Sequence, residues 1–254
     1  MAKTLRPTDT RSAHVSHADG DGHRVRNTIL TDLPPEEVRR VYPAMEFVRL
    51  NARHLLHDAG ETVKSAYFCN SGMISILSVF PDGKTVEVGL VDTEGFIGLP
   101  LVAGFRTTPT RAVVQIDATA FRISDAALIS LLRECPVLER RLQQFSQIAA
   151  METAQIAGCN RVHEIEERLA RWLLMTADRT GTNSLPLTQE LLSQMLGTRR
   201  AGVTVAAGIL QKAGLIRYTR GKVEILSRAR LEQTSCACYE SMAEQRKKWR
   251  SERA

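Results

Sequence analysis

Six basic side chains crowd a short stretch near the C-terminus: Arg199, Arg200, Lys212, Arg217, Arg220 and Lys222. Only Glu190 and Glu224 oppose them between positions 181 and 227. Cations placed this way suit a polyanion, and a guanidinium can also bond bidentately to the O6 and N7 of guanine. The chemistry on offer is recognition of phosphates and base edges. The sequence has no Gly-rich phosphate loop, no nucleophile motif and no HExxH, so no catalytic residue and no enzymatic activity is expected.

The elements that must hold these cations can be read around them. Thr188 stands before a helical pattern with Leu191, Leu192, Met195 and Leu196 on one face, and its side-chain oxygen can cap the free N–H groups there. Gly197 ends that helix, and a second amphipathic run from about Arg200 carries Val203, Ala206, Ala207 and Leu210 at helical spacing. Two helices joined by a glycine-bearing turn form a helix-turn-helix, whose second helix enters the DNA major groove. The segment LIRYTRGKVEIL then reads as two short strands around Arg220-Gly221, the wing of a winged helix. Thr188, Gln189, Thr198 and Arg199 are expected at phosphates and Arg200, Ala201, Thr204 and Val205 at or near base edges, with Arg220 and Lys222 on the flanking backbone. The competing reading is a ligand- or protein-binding barrel module whose winged helix serves assembly.

A chain of 254 residues has room for about two domains, and 43% hydrophobic with 24% charged residues describes an ordinary globular protein. The net charge of +6 suits a polyanion partner only weakly. No apolar run is long enough to cross a bilayer and no apolar leader opens the sequence, so a cytoplasmic protein is expected. Five scattered cysteines are read as reduced thiols, with Cys236 and Cys238 at the surface. No metal site and no cofactor is identified. His14, His17 and His23 sit in a polar tail, and His163 with Glu167 reads as a solvated helix face.

Residues 1–28 are expected to form a disordered tail, and 29–135 a small sensor domain. Within it, short β-branched or alternating runs are separated by Asn70-Ser71-Gly72, Pro81-Asp82-Gly83 and Asp92-Thr93-Glu94-Gly95, the pattern of an antiparallel sandwich or barrel. Ser124 or Asp125 caps a helix that stops before Pro136. Residues 136–180 contain no further proline after Pro136, and Leu138, Leu142, Phe145 and Ala149 recur three or four apart. That predicts a long helix used as a dimer seam. Residues 181–254 complete the winged helix and add a C-terminal helix. The fold class is α+β.

The order of small barrel, long helix and winged helix resembles the Crp–Fnr family of bacterial transcription regulators. The likeness is carried by Asn70-Ser71-Gly72, Glu94-Gly95-Phe96-Ile97-Gly98 and LTQELLSQMLGTRRAGVT. It implies a cyclic-nucleotide-binding-like barrel of jelly-roll type, a homodimer, a two-fold site on double-stranded promoter DNA, and contact with RNA polymerase. Members that bind cyclic nucleotide have a Glu after the Phe-x-Gly turn and an Arg-Ser pair on the next strand. Here Leu99 and Pro100 follow Gly98, and Ala112 follows Arg111, so cyclic AMP is not the expected effector. If the barrel has an effector pocket, Leu77, Val86, Val88, Gly98, Leu99 and Arg111 are expected to line it; the ligand itself is not indicated. The family's usual Glu after the recognition-helix arginine, and its further Arg, are replaced by Ala201 and Val205, so its familiar half-site is not assumed.

Overall fold

A computed structural model describes residues 18–252. Residues 1–17, including His14 and His17, lie outside that range. In chain order the elements are α1 (Thr28–Thr31), α2 (Pro35–Val41), β1 (Glu46–Leu50), β2 (Leu55–His57), β3 (Ser65–Val79), β4 (Thr85–Val91), β5 (Phe96–Ile97), α3 (Leu99–Val102), β6 (Thr110–Ser124), α4 (Asp125–Glu134) and α5 (Pro136–Val162). Then come α6 (Ile165–Thr180), β7 (Ser184–Leu185), α7 (Gln189–Leu196), α8 (Arg200–Lys212), β8 (Ile216–Thr219), β9 (Lys222–Ile225), α9 (Arg228–Thr234) and α10 (Cys238–Glu252). No helix of the described residues is long and apolar enough to cross a membrane.

The N-terminal sheet is antiparallel, in the order β1-β6-β3-β4, with β2 added on β6 and β5 on β3. Among the described residues β1 and β4 are the ends of this path and do not pair with each other, so the sheet keeps two edges. The runs on either side of Asn70-Ser71-Gly72 are one strand, β3. Asn70-Ser71-Gly72, read as a turn, is a bulge inside it, where the register against β6 shifts. The reason lies in the facing strand: Gly72 takes φ +76°, and a Cβ there would fall 2.2 Å from the Asp117 carbonyl oxygen of β6. A bulge absorbs such a residue and bends the strand without ending it. Pro81-Asp82-Gly83 does form the β3–β4 hairpin.

The expected disordered tail does not reach residue 28. Val25 is buried in the core, and Asn27 caps α1 while its amide donates to the Cys69 and Gly95 carbonyls. Buried Glu37 of α2 accepts from the Val137 and Leu138 amides at 2.8 Å each. A carboxylate there satisfies orphan N–H groups and the positive end of the α5 dipole.

The single long helix expected over 136–180 is two helices. His163 is extended (φ −110°, ψ 150°), and Glu164 with Glu167 forms a capping box that starts α6 afresh. Glu167 is thus engaged with backbone and does not pair with His163. The predicted seam also faces the other way: Leu138, Leu142 and Phe145 are buried against the chain's own sheet core. Exposed on the opposite side of α5 are Gln143, Gln147, Ala150, Ala154, Ala157 and Arg161, at helical spacing. The C-terminal segment is likewise two helices, α9 and α10.

A second core surrounds α6, whose residues 168–177 are all buried. It joins Met73, Leu77 and Leu90 of the sheet to Trp172 and Leu173 of α6 and to Leu192, Met195, Val203 and Leu210 of the helix-turn-helix. The sheet and the winged helix therefore share a hydrophobic interior. On the far side α10 crosses α5. Arg246 forks onto Glu152 and also faces Asp92 and Glu94, while buried Arg179 of α6 pairs with Asp92 at 3.1 Å.

Candidate nucleic-acid interface

The helix-turn-helix is built by local signals. Thr188 Oγ1 accepts the Leu191 N–H at 3.2 Å to start α7, and Gly197 ends it in the left-handed conformation (φ 59°). Leu192, Met195 and Leu196 of α7 and Val203, Ala206, Ala207 and Leu210 of α8 face inward. The opposite side of α8 is left outward: Arg199, Arg200, Ala201, Thr204 and Val205 are all exposed. Thr188, Gln189 and Thr198 are half-buried at the two ends of α7.

Arg199 is the N-cap of α8 with extended backbone, makes no capping hydrogen bond with its side chain, and no acidic residue occupies the first turn. The first N–H groups of α8 thus keep their partial positive charge open to an anion. Arg200 reaches Glu190 at 3.5 Å, and Arg217 reaches Glu224 at 3.0 Å. Both pairs are well exposed and are worth at most about 1 kcal/mol, so a phosphate or guanine edge can displace the carboxylate. Thr204 donates its hydroxyl to the Arg200 carbonyl at 2.9 Å, which leaves the oxygen lone pairs outward. In the wing, Ile216–Ile225 and Thr219–Lys222 register the hairpin, and β7 adds a third strand on β9. Arg220 and Lys222 are exposed at its tip.

The sequence reading missed two features of this face. Ile209, one turn beyond Val205, is 46% exposed on the same side of α8; its signal was the apolar i,i+4 pair. The β3–β4 hairpin also stands opposite the start of α8, so Phe80–Val86 line a common cleft of about 1420 Å³ with Glu190, Ser193, Gln194 and residues 197–202. Gly197 meets Val86 so closely that a Cβ there would lie 2.7 Å from the valine Cγ2. Nothing in local sequence announces that contact.

Of the six residues expected around an effector, Leu77 and Arg111 are register partners on β3 and β6 and line one pocket, whereas the other four lie outside it. Leu77 belongs to the core shared with the winged helix, and Val86 abuts the Gly197 turn. Val88 offers its carbonyl to Thr153 Oγ1 at 2.9 Å. Gly98, at φ +121°, rests on Ala66, and Leu99 opens α3 against the sheet core. Arg111 makes a two-point bond to Asp58, at 2.8 and 3.0 Å, and its guanidinium holds that carboxyl below the usual carboxylate range. The cysteines also differ from expectation: Cys236 and Cys238 are buried, next to Cys159.

Residues 47–135 match the cyclic nucleotide-binding domain, and residues 167–234 match the Crp-like helix-turn-helix domain. Transcriptional regulator LdrP of Thermus thermophilus is 25% identical over 206 residues, which cover 76% of this chain and 98% of its own. A regulator of the crp/fnr family from Eubacterium rectale shares the fold with a TM-score of 0.68 at 16% identity, over 82% of this chain and 98% of its own. The c-di-GMP responsive global regulator CLP of Xanthomonas campestris does so at 0.65 and 17% identity, over 76% of this chain and all (100%) of its own. With an outward-facing recognition helix, a wing and both matched domains in this order, the chain belongs to the Crp–Fnr family of DNA-binding transcription regulators.

Proposed function

We propose that the protein works as a cytoplasmic homodimer on two-fold promoter sites, acting by binding rather than by catalysis, and that cyclic AMP is not its effector. In this reading residues 29–135 sense, 136–180 dimerise and 181–254 bind DNA. The observation that carries it is the exposed, uncapped start of α8 with Arg199 and Arg200 upon it. Arg200 and Thr204 meet base edges, Ala201 and Val205 offer apolar contact such as to a thymine methyl, and Thr188, Gln189, Thr198, Arg199, Arg220 and Lys222 hold phosphates. Dimerisation uses the outward face of α5, where Ala150, Ala154 and Ala157 let a second helix approach closely. RNA polymerase contact follows from the family resemblance. Arg111, already satisfied by Asp58, has no free fork for a cyclic phosphate.

Fluorescence anisotropy with a duplex from the protein's own upstream region tests this. Arg200→Ala is expected to cost about 1–3 kcal/mol at one base pair and to relax specificity there. Arg220→Ala with Lys222→Ala should weaken binding to every sequence and reduce the slope of log affinity against log salt by about two. Equal, salt-insensitive affinity of all these variants and the parent for any duplex would refute the proposal.

A further inference from the structure

Two short sequence pieces far apart in the chain meet at the joint between α5 and α6. Cys159 lies on the last turn of α5 and His163 is its C-cap, one helical turn on. Cys236 lies in the link between α9 and α10, and Cys238 opens α10. One donor atom from each, three Sγ and an imidazole nitrogen, all lie within 4.8 Å of one another. Cys159 Sγ is 3.5 Å from Cys236 Sγ, and Cys238 Sγ is 3.7 Å from His163 Nδ1. The three thiols are buried together and belong to neither large hydrophobic core.

From these contacts we propose that Cys159, His163, Cys236 and Cys238 form a structural zinc site. Zinc–sulfur bonds of about 2.3 Å in a tetrahedron put neighbouring donors about 3.8 Å apart, close to the spacings seen here. Three thiols and one imidazole are a closed four-ligand set for this ion. An iron–sulfur cluster spreads its cysteines over several irons and needs a wider cage. A disulfide would use two of the four groups and leave a thiol and an imidazole converging on nothing.

The surroundings complement the charge. Zinc held by three thiolates and a neutral histidine carries one net negative charge. Arg171 is buried near enough for its positive charge to act on Cys159 and Cys236, and its Nε has no hydrogen-bond partner among the described residues. Gln155 also donates to Cys238 Sγ at 3.1 Å, as an outer group steadying a ligand. Bound zinc would fasten the start of α10 to the break between α5 and α6, while Arg246 anchors the same helix farther along.

The test uses the full chain, purified under reducing conditions, stripped with a chelator and titrated with cobalt(II). One equivalent per chain is expected, with the intense d–d bands of a tetrahedral ion and a thiolate-to-cobalt charge-transfer band. Zinc should then displace the cobalt stoichiometrically. Loss of an outer-sphere partner alone costs 10–100-fold in affinity, so Cys238→Ser and His163→Ala are each expected to weaken cobalt binding by at least about 100-fold. Cys135→Ala, away from the cluster, should leave the titration unchanged. Octahedral cobalt without charge transfer, failure to take up the metal, or a Cys159–Cys236 disulfide in freshly isolated protein would each overturn the assignment.

Discussion

Arg246→Ala is expected to destabilise the folded chain by roughly 3–5 kcal/mol, the range for removing one partner of a buried ion pair. Its guanidinium faces Glu152, with Nη2 to Oε2 at 2.9 Å, and lies 3.4 Å from Asp92 and 3.5 Å from Glu94. The side chains of Arg179, Asp92 and Glu152 are only 6–7% exposed, and that of Arg246 is 15% exposed. Without Arg246, the buried carboxylates of Asp92 and Glu152 are left with one cation, Arg179, while Glu94 keeps its pair with Arg250. Arg246→Lys keeps the charge but not the fork, so it should fall between the parent and the alanine variant. Urea denaturation at pH 7 measures all three, and a loss below about 1 kcal/mol for the alanine variant would show that water enters the cluster freely.

The second large effect concerns Glu87, a buried carboxyl of β4 between the sheet and α6. It accepts from Ser75 Oγ at 2.7 Å and from Trp172 Nε1 at 2.6 Å. Burial pushes it from 4.5 up to about 7, against the pull of those two hydrogen bonds and of the Arg171 and Arg179 charges. The unfolded chain releases this proton near 4.5, whereas the folded chain keeps it to about 7. Between those values the folded state binds more protons, so stability falls as pH rises through that window and is level above it. At 1.36 kcal/mol per pH unit the loss is about 3 kcal/mol. Glu87→Gln removes the charge while keeping the shape and a carbonyl acceptor. Relative to the parent, the variant should gain stability on going from pH 5 to pH 8, by up to about 3 kcal/mol in denaturant titrations. Parallel pH profiles for the two proteins would contradict this.

Signals contained within a few residues were legible from sequence. Thr188 and Gly197 bound α7, Ser124 caps α4, and Pro81-Asp82-Gly83 turns the β3–β4 hairpin, because caps and turns need only neighbouring backbone. The basic residues of α8 and the wing were legible for the same reason. What the sequence concealed depends on tertiary partners. Asn70-Ser71-Gly72 has turn composition, but Asp117 and Ala118 opposite it make the segment a bulge within one strand. The Leu138, Leu142 and Phe145 stripe has one periodicity whether it meets its own sheet or a second chain; here it meets its own sheet. Arg111 looked available because Asp58, its partner, lies 53 positions away. The thiol and imidazole group escaped notice because its halves are separated by 77 positions and neither CxC nor a Cys–His pair one turn apart is informative alone.

The meeting of Gly197 with Val86 has a mechanical consequence. A signal travelling only along α5 would have to cross the interrupted backbone at His163 before it could turn α8. The glycine turn, by contrast, leans directly on β4 of the N-terminal sheet, so a displacement of that strand would press on the turn that precedes α8. The N-terminal sheet and the start of the outward-facing helix are thus joined by a contact that does not run through α5.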